Sequence, residues 1–294
     1  MPSNICIMLV DNGSVKPAAT LGLRRLAETL SQQGTEKVHA VSLRHADRIN
    51  SNELDGKAAQ VLYPFMEQQL KAGLNRFILL PLFFAKSRAL TAYVPEQIKC
   101  LEAEYGEIDV TVADVIYPLP EGENRLVSIF ENFIKLLIKN QVDEKKNIVL
   151  VDHGSPSPKV TAVRQHLTIE LQKYFDNINI DQAVMERRDG TEYDFNGPLL
   201  EEWLIQKAQQ GEKSAIVALM FFLPGRHAGE GGDIIEICKR IQKLYPEFSI
   251  QFTPLVYEHI ELINILQSRW YSVMNSSYEY SGMKKIDVDI NGKV

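Results

Sequence analysis

Two histidines and a glutamate in the second half of the chain are the residues best suited to chemistry. His153 lies in VDHGSPSP, Glu186 in VMERRDGTEYDF and His227 in FFLPGRHAGEGGDI, and each segment follows an apolar run of strand length. Imidazole and carboxylate groups bind first-row divalent metals, and a neutral histidine can also accept a proton near neutral pH. The sequence therefore predicts a site where these three side chains bind one metal ion.

These three segments become neighbours if their apolar runs form one parallel sheet. Short apolar runs that alternate with helix-length amphipathic stretches are typical of parallel sheets covered by helices on both faces. Ligands of such sheets bind beyond the carboxyl ends of the strands. The loops with His153, Glu186 and His227 all follow strands, so we expect them at one edge of one sheet.

The chain contains two copies of one unit. LVDNGS at Leu9–Ser14 returns as LVDHGS at Leu150–Ser155, 141 positions later. Further along, FFAKSRAL at 83–90 corresponds to FFLPGRHA at 221–228. The matching blocks occur in the same order, which indicates a tandem duplication.

The two copies differ at the residues that could do chemistry. Asn12 stands in the first copy where His153 stands in the second, and Ala89 stands where His227 stands. Both histidines are absent together from one copy and present together in the other, which favours a joint function. We expect the second copy to hold the site and the first to supply a wall of it.

The predicted architecture is an α/β fold of two tandem similar domains, each a small parallel sheet flanked by helices in three layers, as in flavodoxin-like folds, with a cleft between them. Residues 1–141 would form the first domain, 146–275 the second and 276–294 a polar tail, with Gln141–Lys146 as the linker. The predicted strands lie near Ile5–Val10, Val38–Leu43, Phe77–Phe83, Val110–Val115, Ile148–Val151, Asp181–Met185, Ala215–Phe222 and Ile250–Pro254. The predicted helices lie near Pro17–Gln33, Gly56–Ala72, Tyr93–Tyr105, Asn124–Lys139, Lys159–Phe175, Pro198–Gln210, Ile234–Tyr245 and Glu258–Val273.

Composition argues against several classes of partner. Of 294 residues, 45% are hydrophobic and 24% charged, which is ordinary for a soluble globular protein of about two domains. The net charge of −6 argues against nucleic acid or an anionic membrane as partner. The three cysteines form no CxxC pair, and no apolar run approaches the ~20 residues of a membrane span. We therefore expect a cytoplasmic protein.

Other catalytic motifs fit poorly. The sequence lacks both GxGxxG after the first strand and GxxxxGK[ST], so neither a dinucleotide fingerprint nor a P-loop is indicated. Ser155 lies in DHGSP rather than in the GxSxG elbow of hydrolases. Asp233, directly before IIEI, has the position of a helix N-cap.

The segments DHGS, MERR and FFLPGRHAGEGGDI together resemble the class II tetrapyrrole chelatases. In that family a His-Gly-Ser turn follows the first strand, a Met-Glu pair follows the second, and a histidine in a Pro- or Gly-rich loop, then Asp-Ile, follows the third. Within that family the segments resemble the sirohydrochlorin cobaltochelatases and ferrochelatases, which are CbiX- and SirB-like proteins, in their two-unit form. It covers most of the chain, because both the length and the internal repeat agree with that form.

The resemblance implies an enzyme that inserts cobalt or ferrous iron into a tetrapyrrole such as sirohydrochlorin, in cobalamin or siroheme biosynthesis. The divalent metal would be a substrate, with no organic cofactor. His153, His227 and Glu186 would bind the metal and remove protons, and the macrocycle would lie in the cleft between the halves. Because sirohydrochlorin is a polycarboxylate, we expect substrate contacts from Arg226, Arg88, Arg187, Arg188 and Ser155.

Three features depart from the family pattern. Asp152 replaces the usual glycine before the His-Gly-Ser turn, and five residues separate His227 from Asp233. The histidines also lie in the C-terminal half, whereas many two-unit relatives have them in the N-terminal half. The last two of these departures concern the substrate and the activity.

Two other functions stay open at the level of sequence. A non-catalytic carrier of a metal or tetrapyrrole would bind without turnover. An unrelated α/β hydrolase or phosphotransferase would use Ser155 with His153 and need no metal. The oligomeric state is also open between monomer and homodimer, since the duplication already supplies two walls of a cleft.

Overall fold

The structure is a computed structural model that describes residues 5–139 and 147–279, with side chains up to 275. The predicted linker Gln141–Lys146 lies outside the described residues, so the domain boundary stays a prediction. The last helix continues to Glu279 and covers the first positions of the predicted tail. The rest of that tail also lies outside the described residues.

The first half contains one parallel four-stranded sheet in the order β2-β1-β3-β4. Its strands are β1 (Cys6–Asp11), β2 (Val38–Ser42), β3 (Arg76–Pro81) and β4 (Asp109–Val112). Its helices are α1 (Pro17–Gln33), α2 (Leu62–Lys71), α3 (Val94–Tyr105) and α4 (Asn124–Lys139). A π-helical turn, Ala89–Tyr93, leads directly into α3.

The second half repeats this topology in the order β6-β5-β7-β8, again with all strands parallel. Its strands are β5 (Ile148–Asp152), β6 (Ile180–Val184), β7 (Ser214–Leu219) and β8 (Ser249–Phe252). Its helices are α5 (Pro158–Gln172), α6 (Leu200–Gln209), α7 (Asp233–Leu244) and α8 (Glu261–Glu279). The predicted α/β fold and its tandem repetition are therefore confirmed. Among the described residues, no helix is long and apolar enough to span a membrane.

The first loop of each half has the same local construction. Ser14 Oγ accepts a hydrogen bond from the Lys16 backbone N–H (3.1 Å), and Ser155 Oγ accepts one from the Ser157 backbone N–H (3.0 Å). A proline then occupies the first position of α1 and of α5, where its missing N–H costs no helical hydrogen bond. Both helices therefore begin at the same distance from the strand end.

One predicted helix boundary was wrong. The apolar periodicity of Gly56–Ala72 predicted one long helix, but α2 begins only at Leu62. The Arg24 guanidinium accounts for part of the difference, because it donates to the carbonyl groups of Lys57 (2.7 Å) and Ala58 (3.0 Å). Those carbonyls are therefore engaged by α1 and unavailable for a helical turn.

The two halves share one hydrophobic core. Phe84 and Phe222, which occupy the same position in the two copies, stack with ring centroids 3.8 Å apart and planes at 16°. Tyr117 Oη lies 2.9 Å from His166 Nδ1, which adds a polar contact across the same junction. Residues that follow strands of both sheets line one cavity, so the carboxyl edges of the two sheets meet at a common cleft.

The central strand of each half ends in an aspartate, which is partly buried in the first half and buried in the second. Among the described residues, only the second aspartate has a cation beside it. Arg164 lies in α5 with its Nε 3.2 Å from Asp152 Oδ2, although that N–H does not point at the carboxylate. The equivalent position in α1 is Leu23. In the first half, Asp11 Oδ1 is buried and accepts no hydrogen bond from the described residues.

This difference predicts opposite effects of the same substitution. Burial raises the pKa of Asp11 from 3.8 to about 6, against smaller opposing contributions from hydrogen bonds of Ser42 and Gly13. The folded state therefore binds the proton more tightly than the unfolded state, and the protein loses stability as pH rises from about 4 to about 6. Asp11→Asn should increase the free energy of unfolding by up to about 3 kcal/mol at pH 7.5. That gain should shrink towards pH 4.

Asp152→Asn is the matched control, measured in the same urea-unfolding series. It should destabilise the protein by about 3–5 kcal/mol, because it leaves the buried Arg164 charge without its counterion. Equal effects of the two substitutions would contradict the assigned difference between the two strand ends.

Candidate metal centre

A glycine at the end of β5 brings the first two candidate residues together. Gly154 has φ of +93°, and a Cβ at this position would overlap the carbonyl oxygen of Glu186. The Glu186 backbone N–H donates to the carbonyl of His153 at 3.1 Å. The loops after β5 and β6 are thus in backbone contact, and this contact places the Glu186 side chain beside the imidazole of His153.

The His153 imidazole has a partner at each ring nitrogen. Its Nδ1 lies 3.1 Å from the carbonyl oxygen of Gly154, and its Nε2 lies 3.2 Å from Glu186 Oε1. A carbonyl oxygen can only accept, so Nδ1 must carry a hydrogen. In the neutral imidazole, Nε2 then presents a lone pair towards the carboxylate.

His227 reaches the same place from the loop after β7. Its ring centroid lies 4.5 Å from that of His153, with the planes at 71°. Its Nδ1 lies 2.7 Å from Asp233 Oδ2, which is a short, charge-assisted hydrogen-bond distance. The loop folds back onto α7, because the backbone N–H groups of Asp233 and Ile234 donate to the carbonyls of Arg226 (3.2 Å) and His227 (3.1 Å).

The interpretation of Asp233 as a helix N-cap was wrong. Gly232 is the N-cap of α7, and Asp233 is its first residue, with its side chain directed to His227. This contact was hard to predict from the sequence, because five residues separate His227 from Asp233. The only available signal was the Asp-Ile pair that follows the histidine loop.

The three predicted site residues Glu186, His153 and His227 therefore form one continuous chain of contacts, which Asp233 extends. Glu186 and His153 are partly open to solvent, with side chains 62% and 43% exposed, whereas the His227 side chain is 28% exposed. Among the described residues, no group of three or more His, Cys, Asp or Glu side chains has the arrangement of a preformed metal site. Any metal here would complete its ligand set by small side-chain movements.

A cavity of about 260 Å³ adjoins His153 and receives residues from both halves. Asn12, the counterpart of His153, lines it from the first half. Most of the remaining lining is apolar, namely Leu82, Phe83, Phe84, Ala85, Val160, Met220, Phe221 and Phe222. The predicted cleft between the halves is thus an apolar recess with the histidine at its edge.

The structure distinguishes among the arginines expected to contact substrate. Arg187 donates to the Gly197 carbonyl at 2.9 Å and lies 3.5 Å from Asp194, so its guanidinium is engaged within its own loop. Arg188 lies over the ring of Tyr193, 5.8 Å from its centroid.

Arg226 and Arg88, which lie in equivalent loops of the two halves, also differ in whether a carboxylate lies nearby. Arg226 Nε lies 3.7 Å from Asp233 Oδ2. Arg88 is exposed and forms no ion pair within the described part of the chain. Ser155 is occupied as a turn acceptor for Ser157.

Comparison with known proteins supports a family assignment for the second half and the fold for the whole chain. Residues 147–273 match the CbiX family model. No curated protein matches the sequence. The resemblance to class II tetrapyrrole chelatases is confirmed, and the matched region includes every residue from β5 to α8 that forms the contact chain.

Three solved structures share the two-unit fold. SirB from Bacillus subtilis with Fe3+ has a TM-score of 0.68 and 14% identity over 95% of this chain and 98% of that chain. The sirohydrochlorin chelatase SirB from Bacillus subtilis subspecies spizizenii in complex with cobalt has a TM-score of 0.65 and 14% identity, with the same coverage. CbiX, described as the terminal enzyme of siroheme biosynthesis in denitrifying bacteria, has a TM-score of 0.54 and 12% identity over 92% and 99%.

The short contact between His227 and Asp233 yields a prediction for metal binding. Asp233→Asn should reduce the affinity for Co²⁺ about 10- to 100-fold, because a carboxylate behind a histidine ligand fixes its tautomer and raises its basicity. Glu236→Gln is the control, since Glu236 lies one turn further along α7 and pairs with Lys239 (2.8 Å). Titration followed by cobalt absorbance measures both variants, and equal affinities would show that Asp233 does not support the site.

Proposed function

We propose that this chain, whose residues 147–273 match the CbiX family, inserts a divalent metal ion into sirohydrochlorin or a closely related tetrapyrrole. The observation that carries the proposal is the pair formed by His153 Nε2 and Glu186 Oε1, with His227 beside it at the edge of an apolar cleft. Similarity to a SirB bound to iron and to one bound to cobalt supports cobalt or ferrous iron as the metal. The pathway would be cobalamin or siroheme biosynthesis.

In the tautomer with its hydrogen on Nδ1, His153 presents a second hydrogen-bond acceptor to Glu186. With Nδ1 protonated towards the Gly154 carbonyl, neutral His153 directs a lone pair at the Glu186 carboxylate. Two acceptors 3.2 Å apart repel each other unless a proton or a metal ion lies between them. A metal ion bound between the two acceptors would remove their mutual repulsion.

The observed separation suits a metal ion. Bonds of about 2.0–2.1 Å to nitrogen and oxygen in a tetrahedral arrangement place neighbouring ligand atoms about 3.3 Å apart. The Nε2–Oε1 distance of 3.2 Å agrees with that value without any movement of either side chain. His227 would complete the set, because Asp233 holds its Nδ1 and leaves its Nε2 lone pair free.

The two walls of the cleft would then have different roles in the reaction. The apolar recess around Phe84, Phe222 and Met220 accepts the face of a planar macrocycle. Insertion breaks two pyrrole N–H bonds and forms metal–nitrogen bonds, so two protons must leave as the metal exchanges its ligands. The exposed carboxylate of Glu186 can accept a proton and pass it to solvent. One chain supplies both walls, so a monomer suffices.

The hydrolase alternative receives no support from the geometry. Nucleophilic catalysis by Ser155 requires a base within hydrogen-bond reach of its hydroxyl. Both ring nitrogens of His153 have other partners, and Ser155 Oγ accepts from the Ser157 backbone. The serine is part of the turn that starts α5.

The proposal predicts that the two histidines are needed for turnover but not for folding. The double variant His153→Ala/His227→Ala should lose metal insertion into sirohydrochlorin, measured by absorbance with Co²⁺ and with Fe²⁺, because both imidazole ligands are gone. Its circular dichroism spectrum should be unchanged, since both side chains lie at the edge of the cleft.

The control is His39→Gln, which alters a histidine that packs against Phe65 in the first half. It should retain turnover. Wild-type turnover in the double variant would refute the mechanism. Stoichiometric binding without turnover by the wild type would instead favour a carrier of metal or tetrapyrrole.

A further inference from the structure

The first half carries an arginine at the position of the candidate metal ligand Glu186. The Leu43 backbone N–H donates to the Asp11 carbonyl at 2.8 Å, and the Met185 backbone N–H donates to the Asp152 carbonyl at 2.9 Å. The residue that follows is Arg44 in the first half and Glu186 in the second.

The glycine contact is repeated as well. Gly13 has φ of +89°, and a Cβ there would overlap the Arg44 carbonyl oxygen, as a Cβ at Gly154 would overlap that of Glu186. The two positions are therefore structurally equivalent, and the charge at the strand end is reversed.

The Arg44 side chain is held in place rather than free. Its guanidinium carbon lies over the Tyr93 ring, 5.0 Å from the centroid. Tyr93 Oη donates to the Leu43 carbonyl at 3.2 Å, which fixes the ring against the residue before Arg44. Tyr93 ends the π-helical turn that Arg88 precedes, so both arginines belong to one structural unit. π-Helical turns of this kind are frequent at functional sites.

The arginines at the strand ends differ in whether they already have carboxylate partners, and Arg188, which lies over Tyr193, has none among the described residues. In the second half, Arg187 and Arg226 lie near Asp194 and Asp233, at 3.5 Å and 3.7 Å. In the described part of the chain, neither Arg44 nor Arg88 forms an ion pair with a carboxylate, and both are exposed. Unpaired guanidinium groups at the edge of a cleft favour an acidic ligand, because a planar fork binds a carboxylate through two hydrogen bonds.

We propose that the strand end of the first half binds carboxylates, where the equivalent strand end of the second half binds metal. Arg44, held on Tyr93, binds carboxylate side chains of the tetrapyrrole together with Arg88. Asn12 lines the same cavity as His153, and the next residue, Gly13, approaches the Arg44 carbonyl oxygen, so this strand end lies beside the cleft. The inference rests on the proposed function and assigns the substrate's acidic groups to the half that lacks the histidines.

The test is equilibrium binding of metal-free sirohydrochlorin, followed by absorbance, to wild type, Arg44→Gln and Arg44→Lys. Arg44→Gln should raise the dissociation constant about tenfold, because a charge-assisted hydrogen bond is lost. Arg44→Lys should lie between, since it keeps the charge but not the fork. Affinity for Co²⁺ alone should be unchanged in both variants, because Arg44 does not bind the metal.

Arg76→Gln is the matched control. Arg76 begins β3, at the opposite edge of the same sheet, and pairs with Asp109 at 3.0 Å. It should bind sirohydrochlorin as the wild type does. Thermal unfolding of each variant identifies a folding defect, and the milder Arg44→Lys keeps the test decisive if Arg44→Gln does not fold.

Several outcomes would overturn the inference. Wild-type affinity in Arg44→Gln would do so while leaving the chelatase proposal intact, provided that the wild type still inserts metal. Equal weakening by Arg76→Gln would indicate a general charge effect, and a matching loss of Co²⁺ affinity would indicate a structural one. Failure of the wild type itself to bind sirohydrochlorin would overturn both proposals.

Discussion

The site depends on the close approach of two backbone segments at the end of a central strand. Gly154 adopts a left-handed conformation and leaves no room for a Cβ against the Glu186 carbonyl, so the loops after β5 and β6 touch directly. Any other residue there would separate the carboxylate from the imidazole. The contact is made by backbone atoms, and it therefore survives changes in the side chains that project from it.

In the first half, different side chains project from the same backbone contact. Gly13 makes the same approach to Arg44, yet the projecting side chains have become asparagine and arginine. The aspartates at the strand ends differ in the same way. Asp152 has a cationic neighbour in Arg164, whereas Leu23 occupies the equivalent position in the half that contains Asp11. The duplicated frame thus presents different side chains at equivalent strand ends, and the two copies are joined through the stacked rings of Phe84 and Phe222.

Much of this arrangement could be predicted from the sequence, because it follows from periodicity and from the repeat. Parallel strands place their carboxyl ends at one edge, so the loops with His153, Glu186 and His227 had to converge once the apolar runs were recognised as strands. The equivalence of Asn12 with His153 followed from the repeat alone. Helix boundaries such as that of α1 were also predictable, since Pro17 fixes its start.

The features that sequence could not supply are tertiary contacts. The pairing of His227 with Asp233 depends on a loop that folds back onto α7, and spacing does not encode that path. The late start of α2 depends on Arg24 reaching across from α1. Arg187, a predicted substrate contact, is engaged with Asp194 in its own loop. The sequence did not single out Arg44, because its equivalence to Glu186 depends on backbone contacts.

The most direct test of the central claim is to locate cobalt in crystals of the protein soaked with Co²⁺, by anomalous scattering at the cobalt absorption edge. The account predicts one peak per chain, within bonding distance of His153 Nε2, Glu186 and His227, and none beside Asn12 and Arg44. A peak at the first half, or a metal bound away from both histidines, would contradict the assignment of the two halves.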